Sequence, residues 1–118
     1  DDKRLKKIYR KLTDTTIELE VARLLSYRIT SMQSAGLVPN YESSMAKCLG
    51  SELGQFHARR AINSLGLHGQ LLKESKYSVL NGDVPNSYMY TVSRTIAGGT
   101  SEIQRNIIAT RGLGLPRS

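Results

Sequence analysis

"IAGGTSEIQRN", residues 96–106, decides how this chain is read. Two adjacent glycines, Gly98 and Gly99, precede a hydroxyl pair, Thr100 and Ser101, an acid, Glu102, and a run of helix formers. Two readings stand side by side. The first is a plain joint between two helices, where glycine relieves a tight turn. The second is a binding site. A helix start leaves N–H groups without intrahelical partners, here those of Thr100, Ser101 and Glu102, and an anion or polar cofactor atom can accept them. Ser101 and Gln104 have the spacing of a capping box, which predicts a helix from Thr100 or Ser101 to about Arg111, stopped by Gly112, Gly114 and Pro116.

Upstream, a helix is predicted from about Asn86 to Ile96. Residues 66–85 hold Gly, Asn, Asp and Pro, so they read as a loop with one helical turn near Gln70–Glu74. A long helix is predicted from Tyr41–Ser43 to Leu65. Met45, Leu49, Leu53 and Phe56 form its apolar stripe, and Ala46, Gly50 and Ala61 allow close approach. Cys48 lies beside that stripe and reads as a packed structural thiol. A first helix is predicted from about residue 3 to 35, capped by Asp1 and Asp2 and closed by Gly36 and Pro39. Its stripe is Leu5, Ile8, Leu12, Leu19, Ala22 and Ile29, widened by Tyr9, Val21, Leu24, Leu25 and Met32. No hairpin signal, repeat or low-complexity tract interrupts the pattern. The expected fold is all-α, an antiparallel helical bundle forming a single domain over residues 1–118.

The composition narrows the function classes. With 118 residues, 39% hydrophobic and 23% charged, the chain suits one soluble domain with a modest core. No run approaches the roughly 18 apolar residues of a membrane span, and the charged start "DDKRLKKIYRK" is unlike a signal peptide. Together with the single cysteine, which forbids an internal disulfide, this points to a cytoplasmic protein. The start at Asp1 reads as a piece of something longer. Net charge is +7, with Lys3, Arg4, Lys6, Lys7, Arg10 and Lys11 crowded at the start. The cluster reads as a solvated helix face and not as a nucleic-acid interface, since aromatics do not interleave with it. A basic helical nucleic-acid-binding module is the rival. One Cys and two His, His57 and His68, give no metal-ligand spacing. "GLHGQLLK" lacks the ending of a phosphate-binding loop, and no nucleophile elbow is present.

Residues 97–117, "AGGTSEIQRNIIATRGLGLPR", closely resemble the C-terminal signature of the acyl-CoA dehydrogenase family. Three further segments agree in order: "LTDTTIELEVARLLSYR" from Leu12, "ESSMAKCLGSE" from Glu42 and "AINSLGLHG" from Ala61. The resemblance covers nearly the whole chain outside residues 70–90. It implies a flavoprotein, with FAD as cofactor and acyl-CoA as substrate, that oxidises a thioester to 2,3-enoyl-CoA. A base takes the α-proton and the flavin takes the β-hydride. It implies that this chain is the C-terminal bundle without its first helix, completing the flavin site and the core of a homo- or hetero-oligomer. The bundle alone is expected to be inactive and not to retain FAD.

Residues carry over unevenly. Thr100, Ser101 and Glu102 match the family's flavin-contacting turn, and Gly99 falls at a substrate-binding position. Asn63, Ser64, Leu65, Gly66 and Leu67 fall on a second flavin segment, one that usually serves a neighbouring subunit. There Asn63 stands for the usual Gln and Leu67 for the usual second Gly. Gly98 occupies the place of the catalytic glutamate of many members, and glycine takes no proton. Some branches place that glutamate on the earlier helix. Residues 70–90 exceed the usual connection, and Met89-Tyr90-Thr91 replace a familiar Arg-Asp-Ala. Such branches resemble actinobacterial-type dehydrogenases of bulky acyl-CoA substrates, some built from two different subunits. A non-catalytic partner subunit of such an assembly is the first rival to this reading, ahead of the nucleic-acid module.

Overall fold

The computed structural model describes residues 2–117, with the backbone alone at Arg4. The Asp1 cap and the Arg4 side chain lie outside the described residues. Four α-helices follow one another: α1 (Asp2–Ser34), α2 (Tyr41–Leu65), α3 (Asp83–Arg94) and α4 (Ser101–Ile107). No strand occurs among the described residues. At about 1.5 Å rise per residue, α1 alone accounts for the long dimension of a molecule measuring 51 × 29 × 29 Å.

The central element is α2. It packs against α1, α3, α4 and the 3-10 turn at Gly66–Gln70. The short connection at residues 35–40 returns α2 antiparallel to α1, and Arg28 reaches the buried Glu42 at 4.0 Å. Asn40 stands at the start of α2 but makes no cap with its side chain. Its Oδ1 accepts from Arg111 at 2.8 Å instead, which ties the C-terminal segment to the α1–α2 connection.

Two expected stripes are corrected. The face α1 turns inward is Ile8, Lys11, Thr15, Glu18, Ala22, Leu25, Ile29 and Met32, all partly covered. This alternating three- and four-residue spacing is that of a helix seam. Leu5, Leu12 and Leu19, placed on the stripe by sequence, are 53%, 56% and 54% exposed. At 100° per residue they lie on one flank of the seam, with Ile17, Val21 and Leu24 on the other, so α1 is apolar well beyond the face it covers. Polar residues enter the seam because they are satisfied across it. Arg60 donates to Thr15 Oγ1 and to Glu18 Oε2, both at 3.1 Å, while its guanidinium lies 4.0 Å from the Phe56 ring centre.

On α2 the buried positions are Glu42, Ser44, Cys48 and Ser51, whereas Met45 and Phe56 are each 38% exposed. Small side chains at three- and four-residue spacing let α4 and α3 approach closely. Among the described residues, Cys48 and Pro85 are the apolar side chains that are buried.

The connection over residues 66–82 is more structured than its composition predicts. The expected helical turn at Gln70–Glu74 is displaced: a 3-10 turn occupies Gly66–Gln70 and a second one Leu80–Gly82. Leu80, Asn81 and Gly82 all have positive φ (50°, 56° and 76°). A Cβ on Gly82 would stand 2.5 Å from the Lys73 nitrogen. Helix α3 begins at Asp83, three residues before its expected start, because Pro85 falls in the first turn, where its missing N–H has no helical partner to lose.

Candidate functional site

The double-glycine turn joins α3 to α4, and the residues that flank it form one wall of a cleft of about 660 Å3. Thr100, Ser101, Glu102 and Arg105 line that wall, and Glu52, Phe56, Arg59 and Glu18 line the opposite one. Local sequence builds the turn. Gly98 and Gly99 take φ of 69° and 95°, which side chains other than glycine rarely adopt. Thr100 is the N-cap, its Oγ1 accepting from the Ile103 N–H at 3.3 Å.

That start corrects the expected capping box by one position. Ser101 is the first residue of α4, and Gln104 does not reach back to a cap. Its Nε2 donates to the Gly98 carbonyl at 3.0 Å. The expected fan of three outward N–H groups narrows as well, since the Ser101 N–H donates inward to the Thr95 carbonyl at 3.2 Å. Ser101 Oγ is buried in the cleft wall without a hydrogen-bond partner. Helix α4 runs into a wider π-type turn at Ile108–Gly112, where Gly112 packs on the Tyr41 ring.

The cleft electrostatics come from residues that local sequence did not flag. Arg105 Nη2 bridges both oxygens of Glu52, at 2.7 and 2.9 Å. Burial pushes the Glu52 carboxyl up, but its contacts with Ser101, Cys48 and Arg105 outweigh that and hold it below its ordinary range. Ser101 Oγ acts here through nearness to Glu52, without closing a bond of good geometry. The same ion pair raises Arg105 further. Burial raises the Cys48 thiol, and its hydrogen bond to Glu52, 3.4 Å, adds to the rise. Cys48 is thus a packed, protonated thiol, as its position beside the stripe suggested. Glu102 is held low by its own backbone N–H first and by Thr100 next. Glu52 and Arg105 sit 53 residues apart in sequence, so only their closure in space pairs them.

The second expected flavin segment lies elsewhere. Asn63 faces a cleft with Arg59, Ile62, Gln70, Pro85, Tyr88 and Met89. Ser64 and Leu65 line a groove between α1 and α2, while Gly66 and Leu67 open the exposed 3-10 turn, Leu67 being 82% exposed. Within one chain the two segments are not brought together. The two histidines also lie apart: His57 packs between α1 and α2, 3.7 Å from Glu18, and His68 lies 3.4 Å from the Tyr77 carbonyl.

Residues 5–113 match the family model described as "Acyl-CoA dehydrogenase, C-terminal domain". The chain belongs to this family. The acyl-CoA dehydrogenase FadE26 of Mycobacterium tuberculosis is 36% identical over 103 residues, covering 84% of this chain and 26% of that protein. Among solved structures, the Tcur3481-Tcur3483 steroid ACAD superposes with a TM-score of 0.87 at 31% identity, over 94% of this chain and 29% of that one. The ChsE4-ChsE5 complex from Mycobacterium tuberculosis gives 0.85 at 33% identity, over 94% and 29%. The chain thus spans about a quarter of the FadE26 sequence. As an acyl-CoA dehydrogenase C-terminal domain, it has the all-helical architecture its sequence predicts. No helix among the described residues is long and apolar enough to cross a membrane.

Proposed function

We propose that this chain is the C-terminal bundle of an FAD-dependent acyl-CoA dehydrogenase that converts an acyl-CoA to its 2,3-enoyl-CoA, in a two-component assembly acting on a bulky, steroid-type acyl group. The observation that carries the reading is the cleft wall of Thr100, Ser101 and Glu102, which directly follows the double-glycine turn. Its residues suit a polar cofactor: Ser101 Oγ is buried there without a hydrogen-bond partner, and a Cβ at Gly98 would meet nothing nearer than the Lys47 side chain at 4.0 Å. When bound, the flavin supplies the hydride acceptor. The chain's own part is to bind and orient through Thr100, Ser101 and Glu102, with Gly99 at the acyl-CoA position. Asn63, Ser64, Leu65, Gly66 and Leu67 do not line that cleft, which suits service to a neighbouring subunit's cofactor.

Among the described residues, the cleft offers no unengaged carboxylate. Gly98 has no carboxylate, and the carboxylates lining the cleft are engaged: Glu18 by Arg60, Glu52 by Arg105, and Glu102 by its own backbone. A carboxylate held low accepts a proton poorly. In this reading the α-proton is taken by a residue outside this cleft wall, or this component is a non-catalytic partner. The two-component names of the structural neighbours favour keeping that second reading.

The test is to express the full-length gene with and without its genomic partner, then record flavin absorbance and enoyl-CoA formation from steroid and straight-chain acyl-CoA substrates. Flavin binding with activity on the bulky substrate is expected from the assembly. The 118-residue chain alone should be colourless after desalting and inactive. Flavin retention by the isolated chain, or an assembly without flavin, overturns the reading.

A further inference from the structure

We infer that Gln104 is the positioning residue of the double-glycine turn: its buried amide fixes the direction of the Gly98–Gly99 peptide and, through it, the cleft wall. This rests on the cofactor reading of Thr100–Glu102. Gln104 is 7% exposed, and its Nε2 donates to the Gly98 carbonyl at 3.0 Å. A trans peptide holds its C=O and N–H antiparallel. Drawing the Gly98 oxygen toward α4 therefore turns the Gly99 N–H to the opposite side, at the position read as substrate-binding.

The same amide explains why residue 99 is glycine. A Cβ built there stands 2.6 Å from Gln104 Nε2 and 3.7 Å from the Ile103 side chain. The amide occupies the space a side chain at 99 would need. Two backbone bonds complete the fixture: Ser101 N–H to the Thr95 carbonyl at 3.2 Å, and Gln104 N–H to the Thr100 carbonyl at 2.9 Å. Gln104 touches neither cofactor nor substrate in this account. It acts through the turn.

The experiment uses the full-length protein with its partner and two variants, Gln104→Leu and Gln104→Glu. Three quantities are read: amide hydrogen exchange at Gly99 and Ser101, the flavin dissociation constant, and kcat and KM separately. Gln104→Leu removes a buried donor and should speed exchange at both amides and weaken flavin binding about tenfold. Gln104→Glu should show the same loss at pH 8. It should recover as pH falls toward about 5.5, because a buried carboxyl facing a carbonyl protonates early and then donates. That recovery separates positioning from simple packing and remains readable if Gln104→Leu fails to fold. Wild-type exchange in Gln104→Leu, or no recovery of Gln104→Glu at low pH, overturns the inference. Fast exchange with wild-type flavin binding instead sinks the cofactor reading of the turn, and the positioning role with it.

Discussion

Two of the turns that use left-handed backbone, at residues 98–99 and 80–82, are built on opposite plans. At 98–99 glycine supplies both positive φ values, and the space beside Gly99 is filled by the far end of a flexible side chain, Gln104. At 80–82 two of three left-handed residues, Leu80 and Asn81, are not glycine, and the space beside Gly82 is filled by rigid backbone, Lys73 and Leu72. The first turn is conformationally easy and depends on one side chain that can move. The second is strained and depends on neighbours that cannot. A turn of the first kind can be tuned at a binding wall without unfolding the protein; one of the second kind serves only to hold α3 in place.

The contrast is broken most severely at Gly82. Gly82→Ala sets a Cβ 2.5 Å from the Lys73 nitrogen at a φ of 76°, and neither side can yield. A loss of about 3 kcal/mol is expected in urea unfolding, combining backbone strain with overpacking. Gly99→Ala should cost less, about 1–2 kcal/mol, because the Gln104 amide can swing away. Its flavin binding should fall more than that of Gly82→Ala. Adding Gln104→Ala should recover part of the folding loss, a non-additivity that a double-mutant cycle reads directly. Gly112→Ala is a poor neutral reference, since its Cβ would meet the Tyr41 ring at 3.1 Å.

Smaller effects sharpen the same comparison. Leu80→Asn relieves a positive φ that leucine tolerates badly and should stabilise by about 0.5–1 kcal/mol, seen as a raised Tm. Gly50→Ala, in a helix with nothing within 4 Å of the new Cβ, should gain a similar or slightly smaller amount through helix propensity. Last comes the Glu52–Arg105 pair, which bridges the two walls of the cleft. The folded Glu52 carboxyl sits below its ordinary range, so its contribution is present above that range and fades as pH falls through the folded value. Both partners are well exposed, 40% and 57%, so the effect is small. Glu52→Gln should flatten the acid limb of a stability–pH curve slightly while loosening α4.

The helices were legible where the signal is local. Tyr41 and Leu65 bound α2 as expected, and Gly98-Gly99 marked the joint, because turn chemistry acts over two or three residues. The faces were less legible. Thr15 and Glu18 look like solvent residues until Arg60 is placed across the seam, and Ser44 and Ser51 look too polar to be buried until the helices are packed. Gln104 had a plausible local partner, and its true one appears only when α4 folds back under the turn. Glu52 and Arg105 carry no pairing signal along the chain. The resemblance of residues 97–117 located the family, while the wall of the candidate site had to be assembled from α2.

Cys48 has a use beyond packing. Its thiol is buried on the α2 face beneath α4 and raised by burial and by Glu52, so a maleimide or disulfide reagent reaches it only when that contact opens. As the sole cysteine, it makes labelling kinetics a single-site clock for the lifting of α4. The clock sits one helical turn from Glu52 and runs without any added probe.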